Sequence, residues 1–216
     1  MSCDVQEKIW KAYGISARKL GLPYAVYRPN GPHDPIADGN FIENEFAAFT
    51  SHKAAEYSFG RPMDHKQFLA HALVDGNKVE HGYYLVHAEI TFFVAAKERL
   101  TPILAIACNR TVTITRKLKN ASLGLQPAYG ATNAATDELL AQNWPASVRM
   151  GAKSQGDQAS VNTVGEGSWN IHLPTIEGLR LYPGDIIVDD LGGRFIVAAA
   201  ELTPYGWSVL SQQQTV

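Results

Sequence analysis

Glu80-His-Gly-Tyr-Tyr-Leu-Val-His87 and Tyr182-Pro-Gly-Asp-Ile-Ile-Val-Asp189 are the two stretches on which the fold turns. Each runs from a glycine-bearing turn into a short apolar strand. A second matched pair follows at nearly the same distance: Thr91-Phe-Phe-Val-Ala-Ala96 and Arg194-Phe-Ile-Val-Ala-Ala199. Gly82 and Gly184 stand 102 residues apart, whereas Phe92 and Phe195 stand 103 apart, so the second copy carries one extra residue between its strands. That residue falls in Asp190-Leu-Gly-Gly193, a hairpin turn, where a change of length is least costly. Such turn-strand-turn-strand text is common in small barrels, and coincidence is the plain alternative to duplication. The matched order of turn, strand, tight turn and strand favours two copies of one unit, each a β-meander able to curl into a barrel.

Outward from the repeat, most of the chain reads as strand. Tyr24 to Tyr27, Phe41 to Phe49, Tyr57 to Phe59, Tyr83 to His87, Thr91 to Ala96, Ile103 to Ala107 and Thr111 to Thr115 carry β-forming residues between turn signals. Trp169 to Leu173, Ile186 to Val188, Arg194 to Ala200 and Trp207 to Leu210 do the same at the other end. Residues 4 to 20 predict a helix: Asp4 can cap it, Val5, Ile9, Trp10, Tyr13, Ala17 and Leu20 recur at helical steps, and Gly21 before Pro23 ends it. Residues 28 to 40, dense in Pro, Gly, Asn and Asp, read as an exposed loop. Short helices are expected over Asp64 to Leu73 and Thr136 to Gln142, where apolar residues fall at helical spacing. The expected organisation is mainly β: an N-terminal helix (1–23), a first β module (24–118), a linker and interaction segment (119–168) and the core of a second β module (169–216).

Composition bounds the function. With 216 residues, 45% hydrophobic and 19% charged, the chain is globular rather than disordered, and a formal net charge of −2 offers no broad basic surface for nucleic acid. No apolar run approaches the roughly 20 residues of a membrane span, and MSCDVQEKIW lacks the pattern of a signal peptide. Cys3 and Cys108 lie far apart, which suggests neither a disulfide framework nor a thiolate metal site and fits a cytoplasmic folding compartment.

Candidate chemistry is sparse. Among seven histidines, His65 with His71 and His81 with His87 are six apart, a spacing that is neither HExxH nor i, i+4. On a strand that step returns to one face, so His81 and His87 can converge only if Gly82 does not break the strand. His172 has no acidic neighbour in sequence. Asp185, Asp189, Asp190 and Glu201 form the densest acidic group, and paired carboxylates serve glycoside hydrolysis and divalent cations. Their placement at turns explains the three aspartates without catalysis. No nucleophile elbow, Walker loop or dinucleotide fingerprint is present, and Cys108 reads as a small buried residue. Tyr83, Tyr84, Phe92, Phe93, Trp169 and Trp207 lie on strands, where packing is the first explanation. No catalytic, cofactor-binding or metal-binding residue is expected.

Trp10-Lys-Ala-Tyr-Gly-Ile-Ser-Ala-Arg-Lys-Leu-Gly-Leu-Pro-Tyr-Ala-Val-Tyr-Arg-Pro29, the run from Thr91 through Lys97-Glu-Arg-Leu-Thr-Pro102 to Thr113, and Pro183-Gly-Asp-Ile-Ile-Val-Asp-Asp-Leu-Gly-Gly-Arg-Phe-Ile-Val-Ala-Ala-Ala-Glu201 with Gly206-Trp207 resemble structural virion proteins of tailed bacteriophages and prophages. The C-terminal module is also similar to small β-barrels of phage neck, tail and baseplate proteins. The resemblance implies a mechanical role: a homo-oligomeric ring that contacts other virion proteins, located in the virion and made in the host cytoplasm. It brings no catalytic residue, cofactor, membrane or sequence-specific nucleic-acid partner. The helix, the loop of residues 28 to 40 and the segment 119 to 168 are the parts expected to reach another chain. The alternatives are a carbohydrate-binding host-attachment module using Tyr182, Tyr205 and Trp207, and a hydrolase using Asp189, Asp190 or Glu201.

Overall fold

The computed structural model describes residues 2–51, 68–88, 90–117, 137–151 and 168–214. One helix, α1 (Ser2–Leu20), precedes twelve strands: β1 (Leu22–Tyr27), β2 (Phe41–Ser51), β3 (Leu69–Leu73), β4 (Tyr84–His87), β5 (Ile90–Ala96), β6 (Ile103–Cys108), β7 (Arg110–Lys117), β8 (Asp137–Met150), β9 (Ser168–Leu173), β10 (Ile186–Asp189), β11 (Arg194–Thr203) and β12 (Gly206–Gln214). They close into two six-stranded antiparallel barrels, ordered β1-β2-β3-β6-β5-β4 and β7-β8-β9-β12-β11-β10. The second order is the first with six added to every strand number. Closure removes the strand edges that an open meander would expose.

The hydrogen bonds carry the repeat to single residues. Gly82 N–H donates to Val94 O at 2.9 Å and Val94 N–H to Tyr83 O at 2.9 Å; Gly184 N–H donates to Val197 O at 2.8 Å and Val197 N–H to Asp185 O at 2.9 Å. Both glycines hold positive φ, 83° and 94°, a conformation that a side chain would strain. In both copies the strand then bulges, between Val94 and Ala96 and between Val197 and Ala199. The same positions fill each barrel: Leu85, Phe92 and Val94 in the first, Ile187, Phe195 and Val197 in the second, all buried. The sequence match also runs further upstream than the opening stretches, since Val74 and Val79 answer to Ile176 and Leu181, again buried.

Three expectations change. The strand Arg110–Lys117 pairs with β8 and β10, so it opens the second barrel rather than closing the first module. The join is the single residue Asn109, which has no Pro or Gly beside it to mark a boundary. Its side chain stands in for a strand partner: Nδ2 donates to Val148 O at 2.9 Å, and Oδ1 accepts from Val148 N–H at 2.7 Å. The helix expected over Asp64 to Leu73 is, in its described part, strand β3, buried between β2 and β6; residues 64–67 lie outside the described residues. The helix expected over Thr136 to Gln142 is likewise strand from Asp137 onward. The described part of the expected linker, 137–151, is therefore built into the second barrel. Short apolar runs read alike in both periodicities, and tertiary pairing decides between them. The strand expected over Tyr57 to Phe59 lies outside the described residues.

Helix α1 ends at Leu20 as expected but begins at Ser2, so Asp4 lies inside it rather than capping it, and it lies on the first barrel. Ala17 packs against Ala48 and Leu73, and a Cβ on Gly76 would stand 2.5 Å from the Trp10 ring. The Lys97 ammonium sits 4.4 Å above that ring, and Leu100 N–H donates to Gln6 Oε1 at 2.8 Å. The apolar face of the helix thus covers one end of its own barrel, over the Asp75–Gly76 turn and the hairpin after β5.

Candidate functional site

Three places gather side chains with chemical potential: the junction of the barrels, the aspartates around β10, and a groove at one end of the second barrel.

The junction is built by the loop of residues 28–40 and by β8. Gln142 and Asn143 bulge out of the pairing with β7, because Val112 pairs with Trp144 and Ile114 with Ala141. The bulge aims Gln142 at the loop: its N–H donates to Pro32 O at 3.1 Å, and its carbonyl accepts from Asp34 N–H at 3.0 Å. Asp34 and Asn143 both hold left-handed backbone, φ 48° and 58°, and Asn143 Nδ2 donates to Asp34 Oδ1 at 2.6 Å. Trp144, 1% exposed, donates Nε1–H to Pro32 O at 2.7 Å and packs 6.1 Å from Tyr84, whose hydroxyl donates to Pro145 O at 2.8 Å. Part of the expected exposed loop is therefore held by its own chain.

On the other side of the junction, His172 stacks on Phe68 with ring centroids 4.5 Å apart, and the Arg149 guanidinium lies 6.0 Å from the Phe68 ring. Burial, with Arg149 nearby, holds the imidazole below its ordinary pKa. The folded state thus keeps His172 neutral where the unfolded chain, titrating near pH ~6.5, takes up a proton. Unfolding binds more protons below that pH, so this contribution to stability falls as pH falls. The expected result is that the advantage of wild type over His172→Gln in melting temperature narrows between pH 7.5 and 5.5. An advantage that widened on acidification would refute it.

The aspartates are each engaged by neighbouring groups of the chain. Asp185, 2% exposed, accepts from Arg116 Nε at 2.8 Å and Nη2 at 2.9 Å, and from Tyr182 N–H at 2.8 Å. Asp189 Oδ1 accepts from Gly193 N–H at 2.6 Å and Leu191 N–H at 3.1 Å, which forms the turn expected of it. Arg110 lies between Asp189, at 3.7 Å, and Asp190, at 3.9 Å, and Glu201 stands exposed on β11 opposite Ser208. Turn chemistry accounts for Asp189; Asp185 owes its place to a partner that turn signals do not reveal.

The histidines also stay apart. His81 lies in the turn before β4, His87 at its end with Nδ1 2.7 Å from Pro23 O, and His71 on β3; His65 lies outside the described residues. No group of three metal-ligating side chains occurs among the described residues. Cys108, read from sequence as buried, is half-buried at the end of β6, and desolvation pushes its thiol above its ordinary pKa. No described helix is long and apolar enough to cross a membrane.

The groove, of about 640 Å³, is lined by the loop Thr175–Tyr182 and by Ala200, Leu202 and Trp207 of the β11–β12 hairpin. It joins two of the three aromatics considered for glycan stacking, Tyr182 and Trp207. Trp207 is only 6% exposed, and the Arg116 guanidinium lies 4.8 Å from the centroid of the Tyr182 ring. The flat, open aromatic platform of a sugar site is not formed by this pair. The groove is mixed instead: Leu179 and Leu202 line it beside Thr175, Glu177 and Arg180, over the buried Ile176 and Leu181.

No family model, no curated protein and no solved structure matches this chain.

Proposed function

We propose that this protein is a non-enzymatic structural subunit of a tailed-phage virion, a tail or baseplate component or a head–tail adaptor, that assembles with copies of itself into a ring and binds neighbouring virion proteins. The observation that carries this reading is the use made of the chemically capable side chains. Asp185 ties a loop to β7, Asp189 forms a turn, and His172 packs against Phe68. What the surface offers instead is apolar: Val5, Ile15 and Leu20 of α1 are each more than half exposed, as are Leu191 and Leu202. Exposed apolar side chains grouped on one element suit a protein that binds other chains. The duplicated closed barrels and the resemblance of Trp10 to Pro29 and Pro183 to Glu201 to virion proteins support the same role.

Size-exclusion chromatography with light scattering on the full chain tests this. A discrete oligomer is expected, and its position in a density map of the particle would place it in the neck, tail or baseplate. A monomer at every soluble concentration would count against the ring.

A further inference from the structure

We infer that the groove at the end of the second barrel receives helix α1 of a second copy of this chain; this contact deepens the ring assembly proposed above and rests on it. The duplication itself says what kind of element covers such a face. In the first barrel the turn between Val74 and Val79 and the hairpin after β5 form one end, and α1 lies across both, with Trp10 on Gly76, Gly14 beside Asp75 and Gln6 on Leu100. The matching turn of the second barrel lies between Ile176 and Leu181, and the matching hairpin joins β11 to β12. These are the two walls of the groove. The same architecture is therefore helix-covered in one copy and, among the described residues, open in the other.

The walls differ as a face left for an outside helix would. The turn bond runs from Lys78 N–H to Asp75 O in the first barrel and from Leu179 N–H to Ile176 O in the second. The Asn77 position of the first barrel becomes Leu179, and the hairpin is longer, presenting Leu202, 53% exposed. A buried donor, Trp207 Nε1–H, also lines this end with no acceptor among the described residues.

The occupant is on the same chain. α1 buries Gln6, Gly14 and Ala17 against its own barrel, while Val5 (55% exposed), Lys8, Ala12 and Ile15 (58% exposed) fall on the opposite side at steps of three, four and three. That face combines the apolar Val5, Ala12 and Ile15 with the basic Lys8 and Lys19, and the groove likewise combines the apolar Leu179 and Leu202 with the charged Glu177 and Arg180. A contact between a helix on one barrel and a groove on the other is head-to-tail, so it propagates from copy to copy and makes a ring if the rotation closes.

The test uses two full-length variants, Ile15→Asp and Leu202→Asp. Both sites are more than half exposed, so each monomer should keep the wild-type circular dichroism and melting temperature. Each variant alone is expected to lose the oligomer and to run at the monomer mass of 23.6 kDa. Mixed in equal amounts they are expected to form a dimer and stop, because one intact helix meets one intact groove. If the wild type is oligomeric and either variant remains so, the helix–groove contact is wrong and the ring survives by another interface. If both dissociate but the mixture gives no dimer, the two faces do not meet each other and the inference fails. A wild type that is monomeric throughout removes both this contact and the ring.

Discussion

Replacing Trp144 with alanine is expected to lower the unfolding free energy by about 4 kcal/mol, within the range for truncating a buried tryptophan. The side chain is 1% exposed, so its loss leaves a cavity at the seam of the two barrels. It also removes one of the two donors to Pro32 O, leaving the Gln142 N–H as the other, and so weakens the hold on the loop that crosses the seam. Trp144→Phe is the milder change: it keeps an aromatic ring near Tyr84 and loses the indole N–H together with part of the ring volume, at about 2 kcal/mol. Urea denaturation followed by circular dichroism reads both. The wild type should unfold in one transition, and Trp144→Ala should broaden it or split it in two, because the barrels share their largest buried side chain at this point. An alanine variant within 1 kcal/mol of wild type would show that the seam repacks and that the barrels stand without it.

The repeat was readable because it is local. Gly82 and Gly184 sit next to the strands they start, the flanking apolar residues alternate with the strand period, and the one-residue difference falls at a turn. The structure places the same hydrogen bonds on the residues that the alignment pairs. The strands β3 and β8 were not readable for the opposite reason. Leu69 to Leu73 and Leu139 to Ala141 are held as strand by partners far away in sequence, and their own composition suits a helix equally well. The barrel boundary was missed because β7 is equally apolar whichever barrel it closes, and Asn109 carries no break signal.

The same distinction governs the side chains. Asp189 is legible from its own turn, since the N–H groups that donate to it lie two and four residues on. Trp144 and Pro32 are 112 positions apart, and Arg116 and Asp185 are 69 apart. Nothing near either residue in sequence names the other. The open groove is a further step removed, because it is visible only when the two copies are compared and one end is found covered.

Arg116→Ala is expected to destabilise the protein by about 3 kcal/mol, the scale of leaving a buried charge without its counter-ion. Asp185 is 2% exposed and accepts two bonds from this guanidinium; removal leaves it only the Tyr182 N–H. Arg116 also donates to Arg180 O at 2.7 Å and lies over Tyr182, so its loss loosens the loop that walls the groove. The barrel itself does not require the pair. In the first copy the position of Asp185 is Tyr83, an uncharged residue that packs against the barrel core. The Arg116→Met/Asp185→Leu double variant should therefore be more stable than Arg116→Ala, because it removes the buried charge together with its partner. Equilibrium denaturation of wild type, Arg116→Met, Asp185→Leu and the double variant gives the coupling directly. If the double variant recovers stability but assembles poorly, the pair serves to hold the 175–182 loop in the shape that receives a helix. If the double variant falls as far as the single, the guanidinium contacts to Arg180 and Tyr182, rather than the ion pair, hold that loop in place.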